Sequence, residues 1–336
     1  MLGRFRLLLA GIVAAWIGLA PAHAQTEVEI GYMPILPVSQ LFVELESGWV
    51  DEAGIKPKLV EFQNGPAMVQ ALLAGQLDVA HFGIGPAMVA RAKGADIKVV
   101  ASSIVEQISF VALGELAPYF ESGDAETAFT RFAEDKGRKA VVTTFPVGSV
   151  PETVLQYWLR KQLGANLDDV EIIYQGAAQV QQALLTGAVD GAAILEPVVT
   201  IVTERVDDAK VVARGSEMFP GQPGAVLVVR EGLIRDHPEI VEQLVSFHKR
   251  ATDLLNDQAG DVAGHVQAYV GGGRLPIATV EAALRNAQGT FVADPNFIVE
   301  GTQNMHDFQA ELGTLKQEVD IETLFDTTFY DRIAGQ

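Results

Sequence analysis

Residues 62–80 read FQNGPAMVQALLAGQLDVA, and residues 174–192 read YQGAAQVQQALLTGAVDGA. Laid over each other at a constant offset of 112, without a gap, they share Gln63/Gln175, the Gln-Ala-Leu-Leu runs at 70–73 and 182–185, Gly75/Gly187, Asp78/Asp190 and Ala80/Ala192. In each copy an apolar-periodic helix (68–74, 180–186) stops at a glycine where a left-handed residue is wanted. An aspartate then leads into a short apolar strand (79–82, 192–195), and a polar, glycine-containing turn after a preceding strand opens the unit. Strand, turn, helix, turn, strand is the crossover that builds a parallel sheet. Two copies predict two similar α/β lobes with a site between them; the alternative is that the motif is only a good way to stop a helix before a strand.

The chain has 336 residues, 49% apolar and 20% charged, enough to bury more than one core. Its first residues read as a separate element. Arg4 and Arg6 precede an apolar run at 7–19, and Ala22-His23-Ala24 is a small-x-small cleavage site, so residues 1–24 are expected to be a secretory signal peptide. There is no cysteine, which excludes disulfides, thiolate metal sites, a Cys nucleophile and a lipid-modified Cys. A freely soluble periplasmic protein is the expectation. Cleavage removes two of the 24 basic side chains and none of the 43 acidic ones, taking the formal charge from −19 to −21. Such a surface repels nucleic acid and anionic membranes, leaving only local features to attract an anion.

In chain order, a first strand at 28–33 meets Pro34, and a loop with Ser39 or its neighbour as candidate N-cap precedes an apolar-periodic run at 41–50 closed by Gly48 or Gly54. A second strand spans 57–62. Gly83-Ile84-Gly85-Pro86 joins a strand to a helix whose first N–H groups could hold anionic oxygens; a plain turn is an equal reading. Apolar runs at 97–103 and 110–113 are strands, with the first crossing between the lobes at 104–108. Residues 114–138 form a solvated excursion with a helix. The second lobe opens with a strand at 139–144, then Phe145-Pro146-Val147-Gly148-Ser149-Val150-Pro151 and an amphipathic helix at 152–163. Ser149 reads as a cap, because Pro151 stands where a nucleophile elbow needs glycine. Glu196 follows a buried strand at the end that faces the crevice in open α/β sheets, or is an exposed loop carboxylate. A strand at 225–229 makes the return crossing. Four helices then follow (239–255, 262–270, 279–288, 297–312), expected to pack on the first lobe, with Gly271-Gly272-Gly273 as a joint.

The histidines outside the leader are His81, His237, His248, His265 and His306; none forms a metal-binding spacing, so no metal and no cofactor is expected. No phosphate loop and no basic-aromatic stripe is present. Loops aimed at a cleft without a catalytic set describe a binder, not an enzyme.

In their order, GYMPI at 31–35, the run 62–90, VVTTFPVGSVPETVLQYWLRK at 141–161 and YQGAAQVQQALLTGAVDGAAILEPVV at 174–199 resemble the periplasmic solute-binding proteins of the nitrate, taurine, aliphatic-sulfonate and thiamine-precursor ABC importers. The resemblance covers essentially the whole chain after the leader. It implies an α/β, two-lobed binding-protein fold of type II: two parallel-rich sheets, a hinge and a C-terminal helical tail, with 25–108 and 226–336 as lobe 1 and 109–225 as lobe 2. It also implies a monomer that hands a sulfonate or taurine-like solute to an ABC permease and ATPase. Carried over by motif, the ligand-binding positions are Pro34, Ser39, Gln40, Asn64, Gly65, Ile84, Gly85, Gly148, Ser149, Glu196 and the Gly221–Gly224 loop with Gln222. Sulfonate and taurine binders often carry an aromatic near the residue before Pro197, whereas Ile194 and Leu195 are aliphatic here; an inward Glu196 would favour an amine-bearing ligand. The same resemblance allows a pyrimidine synthase-like enzyme, for which only His81 lies near a motif loop, or a sensory receptor.

Overall fold

The computed structural model describes residues 25–121 and 124–335, so the signal-peptide reading of 1–24 lies outside the described residues. The strands are β1 (Thr26–Tyr32), β2 (Ile55–Glu61), β3 (Val79–Gly83), β4 (Ile97–Ser102), β5 (Ser109–Ala112), β6 (Ala140–Thr144), β7 (Val170–Tyr174), β8 (Gly191–Ile194), β9 (Lys210–Ala213) and β10 (Ala225–Arg230). They form two five-stranded sheets, ordered β2-β1-β3-β10-β4 and β7-β6-β8-β5-β9. Position for position the two orders are the same, with the crossing strand fourth in each.

The repeat's conserved-looking aspartates explain why. The Asp78 carboxylate accepts from Glu29 N at 3.0 Å, while Asp78 N donates to Glu29 O at 2.9 Å. In the second sheet the Asp190 carboxylate accepts from Val141 N at 2.7 Å, and Asp190 N donates to Val141 O at 2.7 Å. Each aspartate thus pins its own strand to the first strand of its sheet before regular pairing begins. Glycines Gly75 and Gly187, at φ 75° and 65°, supply the left-handed turn just upstream. Only the second copy adds a cation, Arg138, whose guanidinium reaches both Asp190 oxygens at 2.6 and 2.8 Å.

Each sheet has two parallel and two antiparallel pairs, because β10 and β5 arrive from the opposite sheet and run against their neighbours. The sheets are therefore mixed rather than parallel-rich. β3 is buried along Val79–Phe82, which is why it reads without the polar-apolar alternation of a half-exposed strand, His81 being its one polar member.

Two segments carry the chain between the sheets, 103–108 and 214–224, and they lie side by side. Glu106 N donates to Gln222 O at 3.0 Å and Gly224 N to Ile104 O at 2.9 Å. The tail adds a third line: Val105 N donates to Thr290 O at 2.9 Å.

The tail departs from expectation. Helix Pro238–Asp257 covers helix Ser39–Glu46 beside the first sheet, as the sequence suggests. Helix Ile277–Asn286, however, reaches helix Val198–Arg205 of the second unit, where Thr279 donates to Glu204 at 2.9 Å. Helix Val299–Glu311 reaches helix Val150–Tyr157, with Gln309 Nε2 donating to Thr153 Oγ1 at 2.9 Å in a fully buried contact. The tail is a strap over both units. Gly271 to Gly273 all have positive φ, at 60°, 65° and 71°. Among the described residues no helix is long and apolar enough to cross a membrane.

Candidate functional site

The two copies of the repeat meet. A Cβ built on Gly176 would lie 3.9 Å from Gln63 Cβ, one on Gly83 would lie 2.8 Å from Val150 Cγ2, and one on Gly85 would lie 3.3 Å from Gly148 O. Glycine at these positions lets the loops of the two units approach to backbone contact.

These contacts surround a small cavity of about 20 Å³. The first unit contributes Met33, Ile35, Gly65, Gly83, Pro86 and Ala225 of β10; the second contributes Phe145, Ser149, Val150, Pro151 and Leu195; the first crossing segment contributes Gln107. Two helices begin at its wall, one from each unit: Gly65–Leu73 with Asn64 as N-cap, and Val150–Tyr157 with Ser149 as N-cap. Asn64 Oδ1 accepts from Ala67 N at 2.9 Å, and Ser149 Oγ from Glu152 N at 3.4 Å. No ionisable side chain lines the cavity. An anionic group placed there meets two helix N-termini, whose partial positive charge replaces a lysine or arginine.

Gly65 and Ser149 are the predicted positions that reach this cavity. Pro34 stands between two lining residues, Met33 and Ile35. Gly85 and Gly148 form the interlobe contact, with Gly148 opening instead onto an outer groove beside Pro66 and Val147. Ile84 is buried and ties its helix to the crossing strand, its N–H donating to Gly224 O at 2.9 Å.

Other positions have structural duties. Ser39 is not the cap of its helix: it is the first residue of Ser39–Glu46, and its hydroxyl donates to Leu36 O at 2.6 Å, because a 3-10 turn at Leu36–Val38 already leads into the helix. Gln40 is buried, donating to Ser103 O at 2.7 Å. Gln222 is buried in the crossing, its carbonyl holding Glu106 N.

Glu196 is buried and turned away from this cavity. Its carboxylate accepts from Thr200 N at 3.0 Å, Thr200 Oγ1 at 2.9 Å and Asn286 Nδ2 at 3.2 Å, fastening the start of helix Val198–Arg205 and the tail together. Burial raises its pKa; the bonds from Thr200 and Asn286 and the charge of Arg214 pull the other way. It lines a neighbouring polar cavity of about 120 Å³ with Arg214 and Asn286. That cavity is the larger, but it contains neither the repeat-turn glycine nor the cap serine. His81 is buried with its ring 5.8 Å from that of His248, and lines neither cavity.

Beneath the Gly148–Ser149 loop lies Glu152, buried, its Oε2 accepting from Gly148 N at 3.2 Å. Burial pushes its carboxyl up to about 6, from an ordinary 4.5, against the pull of the Gly148 N–H and Arg160. The folded protein therefore holds this proton to higher pH than the unfolded chain. Stability from the group is fully present below pH 4.5 and lost as pH rises through 6. Glu152→Gln, which imitates the protonated form, should match wild type near pH 4.5 and exceed it by about 2 kcal/mol at pH 8. Urea unfolding across that range checks this; a difference independent of pH contradicts it.

A model of the NMT1-like family matches residues 21–266. The chain belongs to the NMT1-like family. A Bacillus subtilis (strain 168) protein named for binding aliphatic sulfonates is 30% identical over 330 residues, spanning 96% of this chain and 92% of that protein. Among solved structures, the alkanesulfonate-binding protein SsuA of Xanthomonas axonopodis pv. citri, bound to MOPS, superposes with a TM-score of 0.74 at 20% identity, covering 90% of this chain and 98% of that one. The nitrate-binding protein NrtA of Synechocystis PCC 6803 does so with a TM-score of 0.76 at 15% identity, covering 92% and 88%. At these identities the structures speak for the fold alone, and the two-lobed binding-protein architecture implied by the motifs is the one the family shares.

The wall residues Met33, Ile35, Phe145 and Leu195, and above all Gln107, were not singled out from the sequence. The four apolar ones read as ordinary core. Gln107 sits in a crossing segment with no motif around it, one of two adjacent polar residues, with Glu106, between Val105 and Ile108.

Proposed function

We propose that the chain is the solute-binding component of an ABC importer, exported by its first 24 residues to the periplasm. It acts as a monomer that holds a small sulfonate or taurine-like solute between its units and delivers it to a permease and its ATPase. The observation that carries this reading is the cavity in which the starts of two helices, one from each unit, converge without any ionisable side chain. Two helix starts suit a single anionic head, and the apolar wall suits a carbon body. The similarity to the Bacillus subtilis protein supports the sulfonate class.

A bare oxyanion is the second reading, prompted by the fold shared with NrtA. The wall speaks against it, because each oxygen of nitrate or bicarbonate turned toward Met33, Ile35, Phe145 or Leu195 would lose water without gaining a partner. A reaction consuming a histidine is disfavoured by the distance of His81 from the cavity lining.

A melting-temperature screen tests the reading. A C2–C4 alkanesulfonate or taurine at about 100 times its Kd should raise the Tm by several degrees, since a ligand bound only by the folded form stabilises it by about 2.7 kcal/mol. Nitrate and bicarbonate should leave it unchanged. A shift with nitrate alone, or with no sulfonate, would overturn the assignment.

A further inference from the structure

Gln107 stands in the first crossing segment and contributes to both cavities, the apolar one between the helix starts and the polar one that contains Glu196. Its side chain lies flat on the second crossing segment: a Cβ built on Gly224 would be 2.7 Å from Gln107 Cδ and 2.9 Å from its Oε1. Glycine at 224 is what admits the amide there. Oε1 is shut off from solvent and has no hydrogen-bond partner. Ser149 is the other polar side chain on the apolar cavity, and its hydroxyl oxygen already accepts from Glu152 N. A buried amide oxygen without a donor is costly, and a solute that supplies the donor relieves that cost. A site built around such a group discriminates strongly against analogues that lack the matching hydrogen.

We propose that Gln107 sets the solute preference of the cleft: its amide oxygen accepts a hydrogen bond from an N–H or O–H group on the solute, so that an amine- or hydroxyl-bearing alkanesulfonate is taken in preference to the same skeleton ending in a methyl group. This rests on the solute-binding reading above and adds to it the feature that separates one sulfonate from another. The anionic head lies between the helix starts at Gly65 and Val150, and the donor end turns toward the crossing segments.

Calorimetry with taurine, 2-hydroxyethanesulfonate and propanesulfonate, three solutes of matching size, tests it. Wild type should bind one of the first two at least tenfold more tightly than propanesulfonate. Gln107→Met and Gln107→Leu, which remove the acceptor, should bring that ratio within about twofold. Gln107→Glu, which keeps an acceptor oxygen in place, should retain the preference. Wild-type binding without a preference, or a preference that survives in the Met and Leu variants, overturns the role of Gln107 and leaves solute binding standing. Failure of wild type to bind any of the three removes the solute-binding reading and this one with it.

Discussion

Gly85→Leu should lower solute affinity at least a hundredfold and cost the unliganded protein about 1–3 kcal/mol. Gly85 opens helix Ile84–Ala92 at the point where the first unit touches both the Gly148 carbonyl and the tail. A Cβ there would come within 2.8 Å of Gln309 Nε2 and 3.3 Å of Gly148 O. Gln309 is itself buried and bonded to Thr153, so it cannot swing aside without losing that bond. The four carbons of leucine act as a wedge between the units, whereas within its own helix leucine is a good residue. The wedge strains the arrangement in which the units touch, and apparent affinity falls with the fraction of molecules able to adopt it. Calorimetry and urea unfolding on the same preparation separate the two effects. Affinity within threefold of wild type would mean that the Gly85–Gly148 contact is not part of the solute-holding state.

Gly215→Ala should cost on the order of 3 kcal/mol, a fall in Tm of about 4–5 °C. A methyl at 215 would sit 2.1 Å from Glu106 O, 2.4 Å from Glu106 C and 2.7 Å from Glu106 Cα, all backbone atoms of the other crossing segment. Glu106 has little freedom to retreat. It is at φ 49°, its N–H is held by Gln222 O, and its side chain accepts from Gly221 N at 2.8 Å. The two crossings must therefore separate, which loosens the pairing that joins the sheets. Gly264→Ala is the internal control: it lies inside helix Ala259–Gln267 with nothing within 4 Å of an added Cβ, and should gain about 0.5–1 kcal/mol. Equal stabilities for wild type and Gly215→Ala would show that the crossings are not packed as described.

The duplication was legible because both copies serve one purpose. Asp78 and Asp190 clamp strands through backbone bonds, so their identity and spacing survive where the surrounding side chains differ. β9 left no comparable trace: Lys210–Ala213 is a short edge strand, exposed or half-buried over three of its four residues. The candidate site was legible only in its backbone parts. Gly65 and Ser149 announce themselves through turn and cap chemistry. Glu196 looked like a cleft carboxylate from its place after β8, but its duties depend on Thr200 one turn ahead and on Asn286, 90 residues away. Gln40 likewise finds its partner across the fold, at Ser103, and Gln222 meets Glu106 through its backbone. The apolar wall cannot be told from core by sequence, because a residue facing a cavity and one facing a neighbour are chosen from the same set.

The most direct measurement is a crystal structure of the protein grown with the alkanesulfonate that raises its Tm most. Electron density for the solute is expected between Gly65 and Ser149, its sulfonate at the two helix starts and its other end toward Gln107. Density in the Glu196–Arg214 cavity, or a cleft still empty at saturating solute, would contradict capture at the two helix starts.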